Sequence, residues 1–300
     1  MQLLPWSHPT REGFTLRGWH SAPSGKPLLH FLHGNGFCGR TYEPFLRELS
    51  PHFDLWLSDA QGHGDSDHGG RFVGWNRSAD LAVEALRTQG QAFAHVPHHA
   101  AGHSFGGVLT GLILGEHHSL FRSAVLLDPV IFTPTMLMGA SMAQLTGMIQ
   151  HTPLARQARA RRDHWPSRDE ARAALTGRGT YKGWSEAALD AFLTHALADA
   201  PDGVRLKCQP SREAEVFGSM PDRLWTLLGR VRTPTHVLHA EHTFPFVSES
   251  VQRWSRQNDA VSAQQVPGGH CFMQERPEAA AQAVLSALTQ SQPAEMSPLP

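Results

Sequence analysis

The chain has 300 residues, of which 40% are hydrophobic and 18% charged, with a formal net charge of -1. That length suits one large domain or a domain with an insertion, and the near-neutral charge gives no electrostatic reason to expect nucleic acid or an acidic membrane surface as partner. Its three cysteines, Cys38, Cys208 and Cys271, are odd in number and far apart, which argues against a disulfide framework. Residues 1–10 lack the basic-then-apolar order of a signal peptide, and no apolar run is long enough to cross a bilayer, so the expectation is a cytoplasmic protein with no membrane partner.

In chain order, residues 14–20 (FTLRGWH) alternate as an early strand does, and Pro23-Ser24-Gly25-Lys26 reads as a turn. Residues 27–32 (PLLHFL) form a short apolar run that suits a central strand, ending in the glycine-containing loop His33-Gly34-Asn35-Gly36-Phe37. Such a loop at the carboxyl end of a strand lets backbone amides approach a ligand closely. A helix over 40–49 follows, then a strand over 53–57 that runs into a loop of turn formers from Ser58 to Asp67, and a helix over 78–88.

Residues 98–101 form a buried strand entering Gly102-His103-Ser104-Phe105-Gly106, with a helix over 106–116 behind it. In a Gly-x-Ser-x-Gly turn the serine stands at a strained strand-to-helix junction, and glycines on both sides remove Cβ clashes. The amide of Phe105 and the positive end of the helix then point at the reacting centre. Residues 123–127 form the next strand, closed by Asp128-Pro129. Strands alternating with helices predict a mostly parallel, doubly wound sheet with helices on both faces.

After Pro129 the texture changes. Residues 130–228 carry Met136, Met138, Met142 and Met148, many alanines and arginines, and helical apolar spacing without a convincing strand. This span reads as a helical lid or cap insertion, with the methionines as ordinary core, between core segments 1–129 and 229–290. Arg156, Arg159, Arg161 and Arg162 read as a solvated helix face. The alternating pattern resumes with a strand over 235–240, a helix over 245–257, a strand over 261–266, Gly268-Gly269-His270, and a last helix over 277–288. The Pro/Ser-rich tail, 291–300, reads as disordered.

The chain holds 20 histidines. His236, His239 and His242 have ligand-like spacing, but residues three apart on a strand point to opposite faces. No His-Glu-x-x-His or Cys-x-x-Cys accompanies them, so neither metal nor cofactor is expected.

With this order of elements, four motifs make the chain resemble the α/β-hydrolase superfamily: His33-Gly34, Gly62-His63-Gly64-Asp65-Ser66, Gly102-His103-Ser104-Phe105-Gly106 and Gly268-Gly269-His270. The resemblance implies an α/β-hydrolase fold, Ser104 as nucleophile, His270 as base, and the amides of Phe105 and Asn35 as oxyanion donors. It also implies an acid in the turn after the strand at 235–240, where Thr243 holds the usual aspartate position. Threonine cannot supply that charge. Two carboxylates compete for the role: Asp128, which closes the strand beside the elbow strand where sites of open α/β sheets lie, and Glu241. Asp128 is favoured. The resulting expectation is a carboxylesterase acting on a small or medium apolar ester or a thioester. The alternatives are a C–C bond hydrolase or acyltransferase using the same residues, and a non-catalytic binding protein on the same scaffold.

Overall fold

In a computed structural model, residues 1–145 and 152–290 are described; Met148 and the tail 291–300 lie outside them. Eight strands form one sheet: β1 (Leu4–Pro9), β2 (Thr15–His20), β3 (Leu28–Leu32), β4 (Asp54–Asp59), β5 (His98–His103), β6 (Ser123–Leu127), and, after an intervening excursion, β10 (Thr235–His242) and β11 (Val261–Gly269). Their spatial order is β1-β2-β4-β3-β5-β6-β10-β11. The pairings β1–β2 and β2–β4 are antiparallel, whereas every pairing from β4 to β11 is parallel.

The central strands are apolar on both faces because helices cover both. In β3, Leu28 and Leu32 enter one core while Leu29 and Phe31 enter the other. The first core receives α2 (Trp75–Gln89) through Leu81 and Ala82, α3 (Phe105–Glu116) through Val108 and Leu112, and α10 (Pro245–Gln257) through Val251 and Trp254. The second receives α1 (Glu43–Leu49) through Phe45 and Leu46, and α12 (Pro277–Gln290) through Val284. Two-sided burial produces continuous apolar strands in place of alternation. Strand β1 escaped the sequence reading because it is an edge strand, with an exposed Leu4 and prolines at both ends of LPWSHP.

Between β6 and β10 lie α4 (Pro134–Leu145), α5 (Pro153–Arg159), α6 (Arg168–Leu175), α7 (Glu186–His195), α8 (Pro210–Phe217) and α9 (Leu224–Leu228). The expectation of an all-helical span is corrected here. A three-stranded antiparallel sheet is built from β7 (His164–Trp165), β8 (Leu197–Ala200) and β9 (Gly203–Leu206), in the order β7-β9-β8. Met136 and Met138 are exposed, so these two do not form core. Helix α9 rejoins the main body, since a Cβ on Gly115 of α3 would sit 2.4 Å from the Leu227 carbonyl oxygen.

Candidate active site

Ser104 sits between β5 and α3 with φ 53 and ψ -114, in the left-handed half of backbone space that a serine rarely occupies. The flanking glycines make this geometry possible. A Cβ on Gly102 would meet the Gly106 carbonyl oxygen at 2.3 Å, and one on Gly106 would meet that of Leu32 at 2.2 Å. The Ser104 amide donates to Leu127 O at 3.0 Å, fixing the turn to the end of β6.

The side chains of Ser104, His270 and Asp128 form one hydrogen-bonded chain. Ser104 Oγ lies 2.9 Å from His270 Nε2, and His270 Nδ1 lies 2.5 Å from Asp128 Oδ2. His270 follows β11 and keeps a partly exposed ring, whereas Asp128 is fully buried. A buried carboxylate needs donors, and Asp128 has them. Ala240 N–H donates to Oδ1 at 2.7 Å, and the Thr243 hydroxyl donates to Oδ2, the oxygen that also faces His270. Asp128 itself has φ 44, a conformation aspartate tolerates better than most residues. Glu241 is exposed and stands apart from this chain of bonds.

The loop after β3 brings Asn35 to the same place, and Asn35, Ser104 and His270 line one cavity. Neither the Asn35 nor the Phe105 amide donates to a backbone carbonyl among the described residues. The Asn35 side chain is otherwise engaged, its Nδ2 donating to Glu213 O at 3.1 Å and its Oδ1 lying 3.1 Å from His63 Nε2.

Three buried histidines brace these loops. His33 donates from Nδ1 to Gly34 O at 2.8 Å and accepts the Ala60 amide at 2.9 Å, and burial pushes its pKa down to about 4. His103 donates from Nε2 to the His270 carbonyl at 2.9 Å and accepts from the Tyr42 hydroxyl at 2.6 Å, while Tyr42 accepts the Gly34 amide at 3.0 Å. The loop after β3, the elbow and the His270 loop are thereby tied through one imidazole. Burial, and then the neighbouring His270, hold His103 well below the usual histidine range, so it remains neutral. His63 is likewise depressed by burial.

The cavity holds about 700 Å³ and is roofed by residues from the β6–β10 excursion, among them Leu154, Trp165, Leu175 and Phe217. Sequence reasoning missed two contributors. Tyr42 reads in the sequence as an apolar helix position, with no role for its hydroxyl, and Arg161, read as part of a solvated face, is a cavity-lining residue whose Nη1 bonds Glu213 Oε2 at 2.6 Å.

In the histidine triplet of β10, His236 Nδ1 faces Ser262 Oγ at 2.5 Å, and His239 Nδ1 faces Ser248 Oγ at 3.4 Å. Among the described residues, Asp80, Glu116 and His117 do come within ligand-sharing reach, away from the cavity lining.

Residues 31–283 match the Alpha/beta hydrolase family. The chain belongs to that family. Among curated relatives, a type I acyl-CoA thioesterase, mpaH, of Penicillium roqueforti is 27% identical over 198 residues, covering 61% of this chain and 43% of that protein. The chain spans less than half the length of the curated relatives it matches, 47% and 43%. Among solved structures, E-2-(acetamidomethylene)succinate hydrolase superposes with a TM-score of 0.78 at 22% identity, covering 96% of this chain and 100% of that one. The peroxisomal alpha-beta-hydrolase Lpx1 of Saccharomyces cerevisiae superposes with a TM-score of 0.75 at 18% identity, covering 100% and 92%. At these identities the likeness is one of fold. No helix among the described residues is long and apolar enough to cross a membrane.

Proposed function

We propose that this family member is a serine hydrolase that cleaves a carboxylic ester or thioester through an acyl-enzyme on Ser104. One observation carries the reading: the continuous chain from Ser104 Oγ to His270 Nε2, and from His270 Nδ1 to Asp128. His270 takes the Ser104 proton as Oγ attacks the carbonyl carbon, and Asp128 holds the ring orientation and stabilises the imidazolium. The developing oxyanion receives the amides of Phe105 and Asn35, each such donor being worth about 3 kcal/mol in the transition state. His270 returns the proton to the departing alcohol or thiol. A water, deprotonated by the same imidazole, then releases the acid and restores Ser104.

The excursion over residues 130–228 serves as a cap that shapes the acyl site, a role its cavity-lining side chains support. Their apolar members suit a small or medium hydrocarbon body. The thioesterase name of one relative keeps thioesters within the reading. A non-catalytic binding role rested on Thr243 standing at the usual aspartate position, and the presence of Asp128 against His270 speaks for catalysis instead.

Hydrolysis of p-nitrophenyl esters of increasing chain length, with Ser104→Ala as control, tests the proposal. Turnover by the native chain that is abolished in Ser104→Ala is the expected result, and turnover that survives the substitution overturns it.

A further inference from the structure

The cavity wall carries a charge pattern that an all-hydrocarbon ester does not use. Arg161, Arg162 and Arg178 all line it, and Glu213 is the one carboxylate among the lining residues. Glu213 is committed to Arg161, whose other terminal nitrogen donates to the Tyr181 hydroxyl. That pair also lies against the oxyanion loop, 3.2 Å from where a Cβ on Gly36 would stand.

Arg162 and Arg178 have no such counterpart. Arg162 lies over the Trp165 ring at 5.4 Å and donates through Nε to His164 O at 2.7 Å, leaving its terminal nitrogens without a carboxylate among the described residues. Arg178, an exposed residue lining the cavity, stands between Gly177 and Gly179, both at positive φ, and it likewise forms no ion pair with a carboxylate among the described residues. A guanidinium never sheds its proton here and presents a planar fork of donors that matches carboxylate and phosphate oxygens. Both side chains are exposed, and two such forks on a wall that also carries Leu154, Trp165, Leu175 and Phe217 are complementary to an amphiphilic ligand with an anionic end.

We propose that the cavity takes an ester or thioester bearing an oxyanion group, a carboxylate or a phosphate, away from the scissile carbonyl, bound by Arg162 and Arg178. The proposal rests on the serine-hydrolase reading for the reacting end of the substrate.

Two measurements test it. The first compares phenyl hydrogen glutarate with phenyl valerate, which share acyl length and differ in the terminal carboxylate. The expected kcat/KM ratio favours the glutarate by about tenfold or more, as a charge-assisted contact allows. In the Arg162→Gln/Arg178→Gln double variant that ratio falls toward unity, chiefly through KM. A native ratio at or below unity that is matched by failure of the second measurement overturns the subsite, as does a ratio that the substitutions leave unchanged.

The second measurement is titration calorimetry on Ser104→Ala with glutarate, butyl phosphate and neutral valeramide, and it needs no turnover. Arginine-dependent binding of glutarate assigns a carboxylate, and that of butyl phosphate a phosphate. Binding of neither, or binding that survives the double substitution, overturns the proposal. Should Ser104→Ala keep native turnover, the serine reading fails on its own and calorimetry still decides the subsite.

Discussion

The Thr243 hydroxyl donates to Asp128 Oδ2, the same oxygen that faces His270 Nδ1. The turn after β10, where the family resemblance places the acid, thus contributes a hydroxyl donor, while the carboxylate is that of Asp128, directly after the neighbouring strand β6. The two positions have divided one task between them.

If Asp128 orients His270, Asp128→Asn lowers kcat by about 10³- to 10⁴-fold, as the corresponding change does in serine proteases. Glu241→Gln, at an exposed position apart from the site, changes kcat less than about twofold. Steady-state kinetics on a p-nitrophenyl ester separates the two, and a large loss in Glu241→Gln with none in Asp128→Asn reverses the assignment.

Thr243→Val removes one donor from a buried carboxylate and is expected to lower kcat by about tenfold. The division of labour also predicts a relocation: Thr243→Asp in the Asp128→Asn background recovers about tenfold or more of the lost kcat by moving the charge to the adjacent turn. Kinetics of the single and double variants in one buffer series measures the coupling.

Tyr42→Phe strands two buried groups at once, the Gly34 amide and His103 Nδ1. Each loses a hydrogen-bond partner without gaining water, which sums to about 2–4 kcal/mol of lost stability. Urea unfolding should show a lower midpoint with an unchanged slope.

Acid sensitivity follows from the buried histidines. Burial drives His30 to about 3 and His33 to about 4, against an ordinary value of 6.5. Both rings are neutral in the folded chain at pH 5 and would bind a proton only on unfolding. Stability therefore falls as pH drops below 6.5, by up to about 1.4 kcal/mol per pH unit for each histidine, and is unaffected by them above that value. His30→Leu also removes a buried ring nitrogen that has no partner. Relative to the native chain, its free energy of unfolding should be larger near pH 5 than near pH 7.5 by about 2 kcal/mol, because the native chain alone loses stability to protonation of His30 on unfolding.

Much of the fold was legible because two-sided burial writes continuous apolar runs, such as residues 28–32, and because steric demands at the elbow admit only glycine at 102 and 106. Strands β7 to β9 were not. A strand of two residues, His164–Trp165, shows no periodicity, and β8 and β9 each span four. Pro201-Asp202 between β8 and β9, with Gly203 opening β9, was the turn signal available. At the site, the anomaly of Thr243 pointed to Asp128, but that the threonine bonds the very carboxylate replacing it depends on how β6 and β10 lie side by side, with Val237 opposite Leu126. Pairwise juxtaposition of distant segments has no local signature, which is also why Arg161 read as a surface charge.

The seam between α8 and the loop after β3 constrains how this protein can diverge. Glu213 accepts the Asn35 side chain through its carbonyl oxygen, while its carboxylate and Arg161 crowd Gly36. The excursion and the loop after β3 are therefore joined by direct contacts. A chimaera that borrowed residues 130–228 from a relative would first lose the placement of the Asn35 amide, and only afterwards show a new substrate range. A replacement excursion would have to present a backbone carbonyl to Asn35 and leave room for Gly36, or the loop after β3 would have to change with it.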